Sequence, residues 1–133
     1  MIFIDTGAFL ARYLSRDQYH KTALPLWDKL RTTHERCLTS NFILDETLTL
    51  LSRRASHPFA VEKARILYSS TALEILRPDA LTELDALNWF DKFSDQGISF
   101  TDCISFALMR EAGIQQVFSF DSHFERAGFI SWK

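Results

Sequence analysis

At 133 residues, 47% of them apolar and 24% charged, the chain is one domain's worth of sequence, able to close a core without disulfides or a structural metal. Two domains, intrinsic disorder and a fibrous repeat are excluded. Fifteen basic residues against seventeen acidic ones leave a formal charge of -2, so any contact with RNA or DNA must be local rather than the work of a global positive field.

The chain opens with Ile2, Phe3 and Ile4, a short apolar run that stops at Asp5, Thr6 and Gly7 before helical spacing begins at Phe9, Leu10, Tyr13 and Leu14. That is strand, turn, helix. From Tyr19 to Arg36 the residues Ala23, Leu24, Trp27 and Leu30 recur at helical intervals, and Pro25 is expected to bound or distort the first turns. Cys37 to Thr39 make a second strand, after which Ser40 or Asn41 caps a helix reaching about Ser56, and another helix covers Phe59 to Tyr68. Leu73 to Leu76 read as a third strand, followed by a helix from Asp79 to about Phe93. A loop at Ser94 to Gly97 leads into an apolar helix from Thr101 to Ala112, which Gly113 ends as a left-handed cap. Val117 to Ser119 form a fourth strand, and the tail from Phe129 to Trp132 offers a last one.

Strands separated by long helical crossovers imply a parallel sheet covered on both faces, a three-layer α/β/α sandwich of four to five mainly parallel strands. Ligands of such sheets sit beyond the C-terminal strand ends. That rule selects Asp5 after the first strand, Asp121 just past the fourth, Glu46 on the helix after the second, and Asp102 opening the helix after the Gly97 loop. Glu46 shares a helical stripe with Phe42, Ile43 and Leu50, which turns it toward the protein, where something positive should meet it. Hard oxygen ligands without a histidine suit Mg²⁺ or Mn²⁺, and the chemistry such ions support is phosphodiester hydrolysis with no protein nucleophile.

Each acid also has a plainer reading. Asp5 can cap the first helix, Ser99 with Asp102 resembles a capping box, Asp121 can cap a turn before Phe124, and Glu46 can pair with an arginine. Convergence of all four is what favours a site. Asp5, Thr6 and Gly7 spell the aspartic-protease triplet, but that chemistry needs two such loops and the chain has one. Only four glycines are present and none forms a phosphate loop; Cys37 and Cys103 lack metal-type spacing and read as reduced residues in or near the core. His123, two residues after Asp121, is placed to touch a substrate phosphate but reads first as a surface or capping histidine, and His20, His34 and His57 read as surface residues. The dispersed basic residues, Arg12, Arg16, Arg53 and Arg54 among them, read as solvated helix faces, while the twelve Phe and three Trp either fill the core or expose an apolar groove near Tyr13 or Trp27. No apolar run approaches the roughly 20 residues of a bilayer span, and the start of the chain carries Asp5 without a basic residue. The expectation is a soluble, cytoplasmic protein without a signal peptide.

Four blocks of the sequence, Ile2 to Thr6, Thr39 to Glu46, Ile98 to Asp102 and Phe118 to Phe124, resemble the PIN-domain family, and most closely its VapC-type toxin ribonucleases. The resemblance spans nearly the whole chain in the family's order. It implies one PIN-like nuclease domain over residues 1–133, with Mg²⁺ or Mn²⁺ dependent cleavage of RNA, an antitoxin partner and a homodimer. By the same resemblance Asp5, Glu46, Asp102 and Asp121 match the acidic quartet that holds metal and catalyses, and Thr6, Asn41 and Ser99 match accessory polar positions. His123 stands where many members carry a further Asp, a departure that bears on the second metal's ligands. Two alternatives remain at this point: a PIN nuclease of RNA processing or decay without an antitoxin, and an inactive PIN-like binding module.

Overall fold

The computed structural model describes all residues from Met1 to Lys133. Its elements are β1 (Ile2–Ile4), α1 (Thr6–Tyr13), α2 (His20–Thr32), β2 (Cys37–Ser40), α3 (Asn41–Arg54), α4 (His57–Ser69), β3 (Leu73–Leu76), α5 (Ala80–Lys92), α6 (Phe100–Ala112), β4 (Gln116–Phe118), α7 (His123–Arg126) and β5 (Ile130–Ser131). The five strands lie in the order β3-β2-β1-β4-β5 and every pairing is parallel, a stricter arrangement than the mainly parallel sheet expected. Strand order runs outward from β1 through β2 to β3, then returns to the other side of β1 for β4 and β5. With right-handed crossovers this reversal sends the helices to opposite faces. Accordingly α1 packs on α2 and α3, and α3 on α4, whereas α5 and α7 pack on α6.

Strand β1 is buried throughout, and its register pairs Ile2, Phe3 and Ile4 with Gln116, Val117 and Phe118. The reversal therefore falls between β1 and β4, and the crevice beyond their C-terminal ends is where a sheet of this kind receives a ligand. Local chemistry stops the helices close to where the sequence suggests. Ser40 caps α3 by accepting the Ile43 N–H at 3.1 Å, Ser56 caps α4, Asp79 and Thr82 form a full capping box on α5, and Gly113 ends α6 in the left-handed region at φ 69°.

Two expectations are corrected. Asp5, Thr6 and Gly7 do not form a turn: Thr6 is already helical, and Asp5 is the extended residue that joins strand to helix. Pro25 lies inside α2 without ending it, because the bond its missing N–H forfeits would go to Lys21, an exposed residue.

The aromatic residues mostly make the core. Phe106 on α6 is fully buried, with the rings of Trp89, Phe93, Phe124 and Phe129 centred 5.1 to 6.3 Å away. Trp27 belongs to this interior as well, tilted against Phe9 and Phe118 with its indole N–H donating to the Ala8 carbonyl at 3.0 Å. The largest exposed apolar row is elsewhere, on α5, at Leu81, Leu84, Leu87 and Phe90. No helix is long and apolar enough to cross a membrane.

Candidate active site

Asp5 leaves β1 as the sheet ends, its backbone N–H donating to the Phe118 carbonyl of the neighbouring strand at 3.1 Å. Although it occupies the N-cap of α1, its side chain makes no capping bond. Instead the carboxylate accepts the Ser119 hydroxyl at 2.7 Å, and the same Ser119 oxygen accepts the Asp121 N–H at 3.0 Å. One hydroxyl thus ties the ends of the two central strands together. Asp5 is 5% exposed, and its carboxyl is pushed up to about 7, first by burial and then by the charges of Asp102 and Glu46, against the lowering effect of the Ser119 bond. The protease reading ends here, since the triplet sits on a strand-to-helix junction.

Asp102 lies in the first turn of α6, where its N–H donates to Ser99 Oγ at 3.1 Å. The side-chain half of the expected capping box is absent, because the carboxylate is occupied elsewhere: Oδ2 lies 2.9 Å from His123 Nδ1. Burial raises the Asp102 carboxyl, the Asp121 charge raises it further, and the bond to His123 opposes both. Asp121 is exposed and does serve the turn, as the plainer reading supposed, its Oδ1 accepting the His123 N–H at 2.9 Å. Its other oxygen stays free to face His123 Nδ1 at 3.2 Å. Donor atoms of Asp102, Asp121 and His123 consequently all lie within 4.8 Å of one another.

Glu46 projects from the second turn of α3 and is half-buried. The arginine of the plainer reading is absent, for no basic side chain pairs with Glu46. Its nearness is felt in the raised carboxyl of Asp5. Thr6 Oγ1, next in sequence to Asp5, and Asn41 Oδ1, at the start of the helix that carries Glu46, are buried atoms with no hydrogen-bond partner, as are Tyr13 Oη and Thr47 Oγ1. Carboxylates pressed together without a cation, next to orphaned hard oxygen donors, are the donor set a divalent ion satisfies.

The structure thus brings the charges of Glu46 and Asp102 to bear on Asp5, and bonds both Asp102 and Asp121 to His123. One participant, Ser119, escaped the sequence reading, being legible only as a hydroxyl at a strand end. His123, which the resemblance set at a position bearing on the metal's ligands, is half-buried and bonded to Asp102, where the plainer reading had it at the surface or as a cap. A shallow pocket of about 570 Å³ at the tips of α1 and α3, lined by Tyr13, Arg16, Arg54 and Phe59, lies apart from the acids. Cys37 and Cys103 are both free, and burial pushes the Cys103 thiol up to about 11, so it is no nucleophile.

A parallel α/β/α sheet with acids gathered at its reversal point defines a class of carboxylate-centred α/β proteins. Residues 2–130 match the family model described as the PIN domain, and the chain belongs to the PIN-domain family. It is 39% identical over 130 residues to the 23S rRNA-specific endonuclease VapC20 of Mycobacterium tuberculosis (strain ATCC 25618 / H37Rv), covering 98% of this chain and 96% of that one. The crystal structure of VapC20, described as a Sarcin-Ricin loop cleaving toxin, superposes with a TM-score of 0.86 at 37% identity, over 98% of this chain and 97% of that one. A VapC ribonuclease of Archaeoglobus fulgidus is 32% identical over 123 residues, 91% of this chain and 77% of the relative. FitAcB from Neisseria gonorrhoeae, at 15% identity and a TM-score of 0.72 over 100% of this chain and 97% of that one, shares the fold.

Proposed function

We propose that the protein is an endoribonuclease that depends on Mg²⁺ or Mn²⁺ and serves as the toxin of a toxin-antitoxin pair in the cytoplasm. The observation that carries this reading is the gathering of Asp5, Asp102 and Glu46 around a carboxyl pushed up to about 7, with no cation paired to Glu46. In this reading Asp5, Glu46, Asp102 and Asp121 hold the metal, which when bound supplies an activated water and offsets charge on the leaving oxygen. Ser119 aims the Asp5 carboxylate, Ser99 fixes the first turn of α6 beneath Asp102, and the unpaired oxygens of Thr6 and Asn41 orient water or phosphate at the rim.

The names of the relatives support RNA as substrate, and structured ribosomal RNA as its class. The toxin description of VapC20 supports an inhibitory partner. Such a partner lays apolar side chains against the helices of the first half, where Tyr13 and Phe59 line an open pocket, and directs a basic residue at the acids. Two copies are proposed to associate, consistent with the exposed row of α5, which water would otherwise wet.

The deciding experiment incubates the purified chain with a sarcin-ricin hairpin RNA, its DNA counterpart and a scrambled hairpin, in Mg²⁺, Mn²⁺ or EDTA. Cleavage of RNA that EDTA abolishes is expected. Equal cleavage in EDTA removes the metal reading, and no cleavage of any RNA with either ion points to the binding-module alternative.

A further inference from the structure

We propose that His123 supplies an imidazole nitrogen to the ion shared by Asp102 and Asp121. The position then mixes one nitrogen with carboxylate oxygens, a set that takes Mn²⁺ and favours the later first-row ions, such as Co²⁺ and Zn²⁺, over Mg²⁺. The inference rests on the metal-dependent reading above and concerns what this chain's own residues add to it.

Geometry is the first support. His123 Nδ1 lies 2.9 Å from Asp102 Oδ2 and 3.2 Å from Asp121 Oδ2, and the donor atoms of all three residues fall within 4.8 Å. Neighbouring ligands around an octahedral ion with bonds of about 2.1 Å stand about 3 Å apart, so the two spacings from His123 Nδ1 to the carboxylates match cis positions. The ring is also held in place. The His123 N–H is fixed on Asp121 Oδ1 at 2.9 Å, and the next residue, Phe124, is fully buried against Phe106. Chemistry is the second support. Mg²⁺ takes hard oxygen donors, whereas imidazole raises affinity along the transition series, so one nitrogen separates ions that four carboxylates would treat more alike.

The test uses the metal-stripped full chain. Bound Mn²⁺ is counted by its electron paramagnetic resonance, electron spin echo modulation reports directly bound nitrogen, and growth on ¹⁵N-histidine shifts that modulation. Expected are a nitrogen coupling that moves with the isotope and disappears in His123→Asp and His123→Asn. In His123→Asn, which removes the imidazole without adding charge, Mn²⁺ affinity should fall about tenfold or more, at least the scale of losses when groups behind a metal's ligands are altered; in His123→Asp the added carboxylate should hold Mn²⁺. Mg²⁺ affinity, read by competition, should hold in His123→Asp, since a carboxylate oxygen replaces the nitrogen. Bound Mn²⁺ without nitrogen coupling in the wild type overturns the inference and leaves the metal nuclease reading standing. A coupling that survives in both variants comes from another residue and also overturns it. Failure to bind Mn²⁺ at all overturns both together.

Discussion

Asp102 and Phe106 stand one turn apart on α6 and face the same way, yet they belong to regions of opposite character. Around Phe106 four other rings meet it edge or face on, and each contact favours the fold. Around Asp102, one turn nearer the strand ends, burial raises the carboxyl, Asp121 adds repulsion, and the partnerless oxygens of Thr6 and Asn41 lie in neighbouring elements. One helix therefore has a floor that stabilises and a rim that costs stability. Loss of function and loss of stability should separate cleanly along its length.

The largest expected effect is on activity. Asp102→Asn keeps shape and removes charge, and should slow RNA cleavage by about a thousandfold, roughly 4 kcal/mol of barrier, while leaving the circular dichroism spectrum unchanged. Wild-type turnover in that variant would erase the distinction between rim and floor. Next in size, Phe106→Ala should cost about 3 to 5 kcal/mol in urea unfolding, because four rings surround the void and cannot all collapse into it. A loss under about 1 kcal/mol would mean the aromatic cluster is loosely packed.

A third prediction concerns pH. Asp5 titrates at about 7 in the folded chain against 3.8 ordinarily, so between those values the folded state holds a proton that the unfolded state has released. The metal-free protein should lose stability as pH rises through that window and level off above it. Asp5→Asn does not titrate there. It should flatten the profile and be more stable than the wild type by a few kcal/mol near pH 8, with little difference near pH 4. Melting curves in EDTA across this range measure it, and a wild-type midpoint that holds or rises with pH would show that the rim is not strained by its charge. Saturating Mn²⁺ should restore the wild type at high pH, by about 2.7 kcal/mol at a hundredfold excess over its dissociation constant.

What the sequence made legible follows from the range of the forces involved. Helix caps act within a turn, so Ser40, Asp79 and Gly113 announced their helices from local spacing. The acids could be put at one edge because crossover topology is a rule of chain direction. The bond from Ser119 to Asp5 spans 114 positions and has no local signature. His123 shows the same limit at short range: its N–H does form the turn that Asp121 invites, and only the packing of α7 decides that the ring swings toward Asp102. The arginine that the plainer reading offered Glu46 is absent, and that pairing too is a matter of tertiary placement with no local signature.

The smallest effect compares two serines of the same chemistry at the two ends of the α3–α4 pair. Ser40 caps α3 beside the rim and is fully buried, as is Ile43, whose N–H it accepts. Ser56 caps α4 at the far tip in full view of solvent, accepting the Phe59 N–H at 3.2 Å. Replacing either by Ala removes one bond, but only at Ser56 does water take its place. Ser40→Ala should therefore cost about 1 to 2 kcal/mol and Ser56→Ala about 0.5 kcal/mol in urea unfolding. The pair also asks whether the start of α3 is held by the fold or by the acids. If Ser40→Ala loses Mn²⁺ affinity by no more than about threefold, the strand register of Ser40 on Leu76 is enough to keep Asn41 and Glu46 in place. A loss beyond about tenfold would make that buried hydroxyl part of the site's support, and the boundary between floor and rim would move one element down the chain.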